Sequence, residues 1–278
     1  MGHTGAAAPQ GPQPLPGVAH VVAVGSGKGG VGKTTVAVNL AVALVKLGYR
    51  VGLIDADIYG PNVPTMMGLV RQPSMVGEER IGPLIAHGVK FISVGLIAQG
   101  DQPMVMRGPM LHQIIRQFVQ QVEWGELDFL IIDLPPGTGD VVLSLVQTVP
   151  LTGAVVVSTP SDVSLEDARR AIAMFRQVKV EVIGIVENMS HFTCPHCKQT
   201  IDIFSTGGAE RTASEAGIEF LGTLELDPAI RQGGDSGHPV TLEGAESAVA
   251  QPFFEMARKV AAHAQEIAAS SEQVLEIS

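Results

Sequence analysis

The sequence predicts an α/β fold, with a mostly parallel, twisted sheet covered by helices on both faces. Short β-branched runs that are apolar at successive positions recur along the chain, as expected of strands buried on both sides. Segments of helical period separate them, so strands and helices alternate. Of the 278 residues, 45% are hydrophobic and 17% charged, enough for a real core and too little charge for a disordered chain.

Residues 1–17, MGHTGAAAPQGPQPLPG, are rich in Pro, Gly, Ala and Gln without apolar periodicity, and a disordered leader is expected there. A single domain is expected over 18–270, with 271–278 as a flexible tail. Its first strand, HVVAVGS, runs into a glycine-rich loop and the helix TTVAVNLAVALVKLG, closed by Gly48. RVGLIDAD, FLIIDLP, AVVVSTP, VEVIGIVEN and FLGTLELD read as further strands. Helices are expected at about 108–122, 139–149, 164–177, 206–216 and 244–269. Two regions break the alternation. Residues 68–94 read as a hairpin inserted at the sheet edge, and 191–203, with both cysteines, as a loop or small hairpin.

Charge and cysteine usage narrow the function. Acidic residues outnumber basic ones, 28 to 18, for a net charge of −10. Such a chain is not expected to bind duplex nucleic acid, which demands a dense Lys/Arg surface. No apolar run is long enough to span a membrane. Two cysteines cannot build a secreted disulfide scaffold, and no secretory signal is seen, so a cytoplasmic, reducing compartment is expected.

Gly27-Lys28-Gly29-Gly30-Val31-Gly32-Lys33-Thr34 matches the phosphate-binding pattern G-x-x-x-x-G-K-[ST], with a strand before it and a helix after it. Glycines let backbone N–H groups converge on phosphate oxygens, and the helix N-terminus adds its dipole. Lys33 then neutralises the β- and γ-phosphates, and Thr34 offers a hydroxyl to Mg²⁺. Thr35 completes the loop. Phosphate binding of this kind defines a P-loop NTPase. KGGVGKTT, with its extra Lys28, resembles the deviant Walker A loop of the group containing nitrogenase iron protein, MinD and ParA. That resemblance implies a Lys28 that reaches across a dimer interface to the partner's nucleotide; a solvated lysine is the alternative.

Asp55, Asp57 and Asp133 end strands, where open α/β sheets bind ligands. Three carboxylates there repel one another unless a cation such as Mg²⁺ intervenes. Asp133 fits the Walker B role beside Mg²⁺. Asp57 stands where the resembled group keeps its water-orienting carboxylate, and Asp55 supports Mg²⁺ waters or the loop. Each could instead be a cap. Asn188 follows VIGIVE, where the same group places an asparagine that reads adenine; a turn asparagine is the alternative. In LPPGTGD, after Asp133, Gly137 and Gly139 suit a switch loop. Pro228 to Arg231 is a candidate for the rest of the base pocket.

Cys194-Pro195-His196-Cys197 is a C-x-x-C pair that can grip one metal centre from one side. Zinc and iron–sulfur centres usually take four protein ligands, and the chain has no other cysteine. A two-fold dimer would supply four thiolates at its axis. Zinc with His191 or His196, thiol–disulfide chemistry and unligated thiols stay open. The residues that follow alternate like a strand, against the helix that a redox C-x-x-C needs.

KGGVGKTT, DADIYGPNVP, DLPPGTGD, ENMS and CPHC occur in this order, and the set closely resembles the Mrp/ApbC-type iron–sulfur cluster carrier proteins over about residues 19–260. The resemblance implies a homodimer that assembles a [4Fe–4S] cluster on paired C-x-x-C motifs and passes it to apoproteins, with ATP, Mg²⁺ and slow hydrolysis. Residues 1–17 stand where many bacterial relatives carry a small α+β domain, and Asn62 stands where serine is common. A MinD- or ParA-like positioning ATPase is the competing expectation. The acidic tail AAHAQEIAASSEQVLEIS lacks the basic amphipathic face of a membrane-binding helix. A nucleotide-gated binding module is a third expectation.

Overall fold

The computed structural model describes residues 12–277, apart from 59, 78–79, 98–107 and 138. Most of the expected leader, Thr138 of the LPPGTGD segment and the last residue therefore lie outside the described residues. The first half of the chain contains β1 (Val18–Gly25), α1 (Lys33–Lys46), β2 (Val51–Asp55), α2 (Val63–Met66), β3 (Met75–Val76), β4 (Arg80–Ile81), β5 (Leu84–Ala86), β6 (Val89–Ser93), α3 (Val94–Ile97), α4 (Gly108–Gln121) and β7 (Leu127–Asp133). It continues through α5 (Asp140–Thr148), β8 (Gly153–Ser158), α6 (Asp162–Gln177) and β9 (Val182–Asn188). The remainder is β10 (Phe192–Thr193), β11 (Thr200–Ile201), α7 (Gly208–Ala216), β12 (Glu219–Leu224), α8 (Pro228–Ser236), a 3₁₀ turn at Val240–Glu243 and α9 (Gln251–Ile277).

Eight strands form the central sheet in the order β12-β9-β8-β1-β7-β2-β6-β5. Every neighbouring pair is parallel except β5–β6. The doubly apolar runs explain this arrangement. Val22, Val24, Leu53, Phe129, Ile131, Val155 and Ile183 face one core with α1 and α9. Val21, Ala23, Ile54, Leu130, Ile132, Val156 and Ile185 face the other, with α4, α5, α6 and α7. Helices thus cover both faces, and the period-two alternation of strand side chains divides the apolar residues between two cores.

Several boundaries differ from the sequence expectation for physical reasons. The 68–94 region contributes β5 and β6 as an edge hairpin, but β6 also pairs in parallel with β2 and so extends the main sheet. The last helix begins at Gln251 rather than near 244, because Gly244 takes a positive φ of 94° and a chain of turns runs up to Ala250. Pro252 then sits in the first helical turn, where no N–H is needed. That helix continues to Ile277, into the stretch set apart as a tail. At the other end, Leu15 packs against the second core and Gln13 N–H donates to the Thr148 carbonyl. Among the described residues, no helix is long and apolar enough to cross a membrane.

Register positions the site. Asp133 pairs with both Val24 and Asp55, Asp55 pairs with Ser93, and Asn188 pairs with Leu224. The chemically active strand ends therefore share the carboxyl edge of one sheet. Beyond β9 the chain makes an excursion carrying the β10–β11 hairpin and returns at α7. Glu187, wholly buried, fastens the neck of that excursion by accepting the N–H groups of Gly207 (3.2 Å) and Ala209 (2.8 Å). Glu187→Ala leaves those donors without their partner and is expected to cost about 1–3 kcal/mol. Glu187→Gln, which keeps an acceptor, should cost less; urea denaturation of the three proteins checks the ranking.

Candidate nucleotide and metal site

The loop after β1 is shaped by steric demand. Gly32 takes a φ of 82°, and a Cβ there would collide with the Asn188 amide; a Cβ on Gly27 would strike the Asp167 backbone. The loop lines a cleft of about 610 Å³ at the carboxyl edge of the sheet. Lys28, Gly29, Gly30, Gly32, Lys33, Thr34, Thr35, Asp57 and Asn188 all face this cleft. Gly27, Val31, Asp55 and Asp133 do not line it.

Lys33, only 6% exposed, donates to Asp133 Oδ1 at 2.7 Å and lies 3.7 Å from Asp57 Oδ2. Thr34 Oγ1 donates to Asp133 Oδ2 at 2.7 Å. Both oxygens of the wholly buried Asp133 are thereby engaged by the loop. Burial pushes the Asp133 carboxyl up, against the lowering effects of Lys33 and Thr34. Asp55 is pushed from its ordinary 3.8 to about 7 by burial and then by the charge of Asp133.

Asp55 has a structural assignment. Its Oδ1 accepts Asp57 N–H at 3.2 Å, and its Oδ2 accepts Val63 N–H at 3.3 Å and Ser93 Oγ at 2.8 Å. These bonds tie both Asp55 oxygens to the segment that carries Asp57 and to its neighbours. Asn188 Nδ2 donates to the Val31 carbonyl at 2.8 Å, so the residue expected to read a base also braces the phosphate loop. The amide keeps its oxygen and a second hydrogen for another partner. Mg²⁺ prefers hard oxygen donors; of the residues expected around it, the Thr34 hydroxyl and the Asp133 carboxylate lie together, whereas both Asp55 oxygens are taken up by Asp57, Val63 and Ser93.

The far wall comes from the β12–α8 connection and α8: Glu225, Leu226, Asp227, Ile230, Arg231 and Asp235. Asp227 caps α8 by accepting Ala229 N–H at 2.7 Å, with Pro228 in the first turn. Pro228 to Arg231, the candidate for the rest of the base pocket, open α8, a helix that the apolar periodicity does not announce. Asp-Pro was its available signal.

Both cysteines lie at the turn of the β10–β11 hairpin, Cys194 partly buried and Cys197 exposed, and both thiols are free. Cys194 N–H donates to the Gln199 carbonyl at 3.0 Å, and Lys198 N–H donates to the Cys194 carbonyl at 2.9 Å. The N–H groups of Cys197 and His196 hold the Cys194 thiol below its ordinary value. His191, weighed as a zinc ligand from sequence, has both ring nitrogens engaged. Nδ1 is 2.8 Å from Ser190 Oγ, and Nε2 is 3.0 Å from Glu225 Oε1. Among the described residues, no three His, Cys, Asp or Glu side chains form a metal-ligand group. The cysteines are not brought into the nucleotide cleft.

The sheet, the glycine loop and the buried lysine define a P-loop NTPase. The chain belongs to the NUBPL iron-transfer P-loop NTPase family within the ParA group, whose family model matches residues 17–261. An iron–sulfur cluster carrier protein of Aquifex aeolicus is 49% identical over 246 residues, covering 88% of this chain and 68% of that protein. The structure of an Archaeoglobus fulgidus nucleotide-binding protein in complex with ADP is 38% identical, with a TM-score of 0.71, covering 80% of this chain and 88% of that one. MinD from Pyrococcus horikoshii, complexed with Mg-ADP, superposes with a TM-score of 0.67 at 22% identity, covering 87% and 96% of the two chains, and shares the fold.

In the nucleotide-free protein, Asp55 binds its proton more tightly folded than unfolded between pH 3.8 and about 7. Its contribution to stability is therefore fully present below that window and falls as pH rises through it. Thermal melts across the window should show a shallower decline for Asp55→Asn than for wild type; equal slopes would exclude the shift.

Proposed function

We propose that this protein carries a [4Fe–4S] cluster between two copies of the chain and passes it to apo iron–sulfur proteins, using ATP binding and slow hydrolysis. The observation that carries this reading is the surface hairpin that presents the chain's only two cysteines, both free, at its turn. One chain supplies two thiolates and a four-thiolate centre needs four, so two hairpins meeting at a two-fold axis complete it. Ile201, Ile203 and Phe204, on or just after the hairpin, are exposed apolar residues suited to burial against the second copy. Relatives named as iron–sulfur cluster carriers supply the cargo class. Free thiols suit a reducing compartment such as the cytoplasm.

At the nucleotide, Gly27 to Thr35 hold the phosphates through backbone N–H groups, and Lys33 meets their charge. Phosphate competes with Asp133 and Asp57 for that ammonium. Thr34 and Asp133 would hold Mg²⁺, which would supply neutralisation of the phosphate charge. Asp57 orients the attacking water, while Asp55 fixes the loop beneath it. Asn188 braces Val31 and turns its remaining amide groups to the adenine. Lys28 reaches from one copy to the nucleotide of the other and stabilises charge during phosphoryl transfer.

Cys194→Ala and Cys197→Ala should each abolish the 4Fe–4S absorption band after anaerobic reconstitution while preserving ATP affinity. A normal band in either variant rejects the shared-cluster reading. Lys28→Ala should retain ATP and lower the hydrolysis rate by ~10²-fold or more, the scale of losing one transition-state charge donor. Phosphate release under saturating ATP measures this effect.

A further inference from the structure

The nucleotide cleft and the cysteine hairpin are joined by a continuous polar clamp. On the nucleotide side, Asn188 holds Val31 of the phosphate loop, and Asn188, Met189, Glu225 and Leu226 line the cleft. Ser190, nearly inaccessible, then ties the β9 exit to β12: its N–H donates to the Leu224 carbonyl at 3.0 Å and its Oγ at 3.2 Å. His191 comes next. Its carbonyl accepts Leu226 N–H at 2.8 Å, and its ring bridges Ser190 Oγ to Glu225 Oε1. The other Glu225 oxygen accepts Thr193 Oγ1 at 3.4 Å, one residue before Cys194. Glu225 also lines a second cavity of about 350 Å³ with Thr193, Pro195 and Lys198 of the hairpin. One carboxylate thus belongs both to the nucleotide wall and to the base of the thiol-bearing turn.

We infer that His191 is a positioning residue: through Glu225 it fixes the cysteine hairpin to the nucleotide-cleft wall, so that filling the cleft changes how the hairpin holds its cargo. The structural link rests on this geometry, and its consequence for cargo rests on the carrier reading. A nucleotide that contacts Asn188 or the Glu225–Leu226 segment displaces groups hydrogen-bonded to His191 and Thr193. By linkage, a cluster that tightens the hairpin must alter nucleotide affinity by the same factor.

The test uses the full chain. In apo wild type, a non-hydrolysable ATP analogue should change hydrogen exchange at the Cys194 and Lys198 amides by at least ~5-fold, the lower end of measurable site-to-site coupling. In His191→Phe, which keeps a ring but loses both nitrogens, the change should fall to about 1-fold at unchanged nucleotide occupancy. His191→Gln, whose amide can still donate to Glu225, should restore most of it. The reconstituted protein should show the same ranking in cluster release to an iron chelator with and without nucleotide. Should His191→Phe fail to fold, Thr193→Val, which removes the other Glu225 contact, should reduce the coupling. Wild-type coupling retained in the folded variant, or its absence in wild type, overturns the inference. Because exchange is read without a cluster, failure to load iron would reject the carrier reading separately.

Discussion

The Lys33 ammonium is nearly sealed from solvent, and its nearest carboxylate, Asp133, is wholly buried at 2.7 Å. Such a pair is tolerable only where geometry is good and the remaining lone pairs are satisfied. Here Thr34 takes the second Asp133 oxygen. The contact joins the first turn of α1 to the end of β7, and register places β7 between β1 and β2. Lys33 and Thr34 of the phosphate loop are consequently fixed to the end of β7. A phosphate that takes this ammonium must draw it from Asp133 and Asp57, while the side chain itself needs little further ordering.

The same sheet edge positions a second chemistry through different means. β9 ends at the cleft with Asn188, and the chain then leaves the sheet entirely to form the cysteine turn. Glu187 fastens the neck of this excursion, while Ser190, His191 and Glu225 hold its near side. The distal turn stays exposed. The two thiols thus sit on a short exposed hairpin whose base is tied to the rigid sheet.

Much of this arrangement was legible in the sequence. The glycine-rich motif between a strand and a helix carries its steric reason locally, and the runs ending in Asp55 and Asp133 announce parallel strands with carboxylates at their tips. The short alternating stretch after Cys197 excluded a helix and yielded the observed hairpin. Other features depend on distant partners. Gly233 and Gly234 weaken the helical pattern of α8, yet they permit its approach to the His238 carbonyl and Met66. The three donors gathered by Asp55 come from the segment after β2, the start of α2 and the end of β6. The His191–Glu225 contact spans two chain excursions that no local pattern connects.

Under the proposed function, the nucleotide site lacks only a lysine supplied by a second copy, and the two thiols are half of a four-ligand set, so both sites call for the same partner. The most direct measurement is native mass spectrometry under anaerobic conditions after reconstitution with iron and sulfide. The account predicts a species of two chains with four irons and four sulfides, absent when either cysteine is replaced. A single chain retaining the full cluster, or a dimer that never acquires iron, would contradict it.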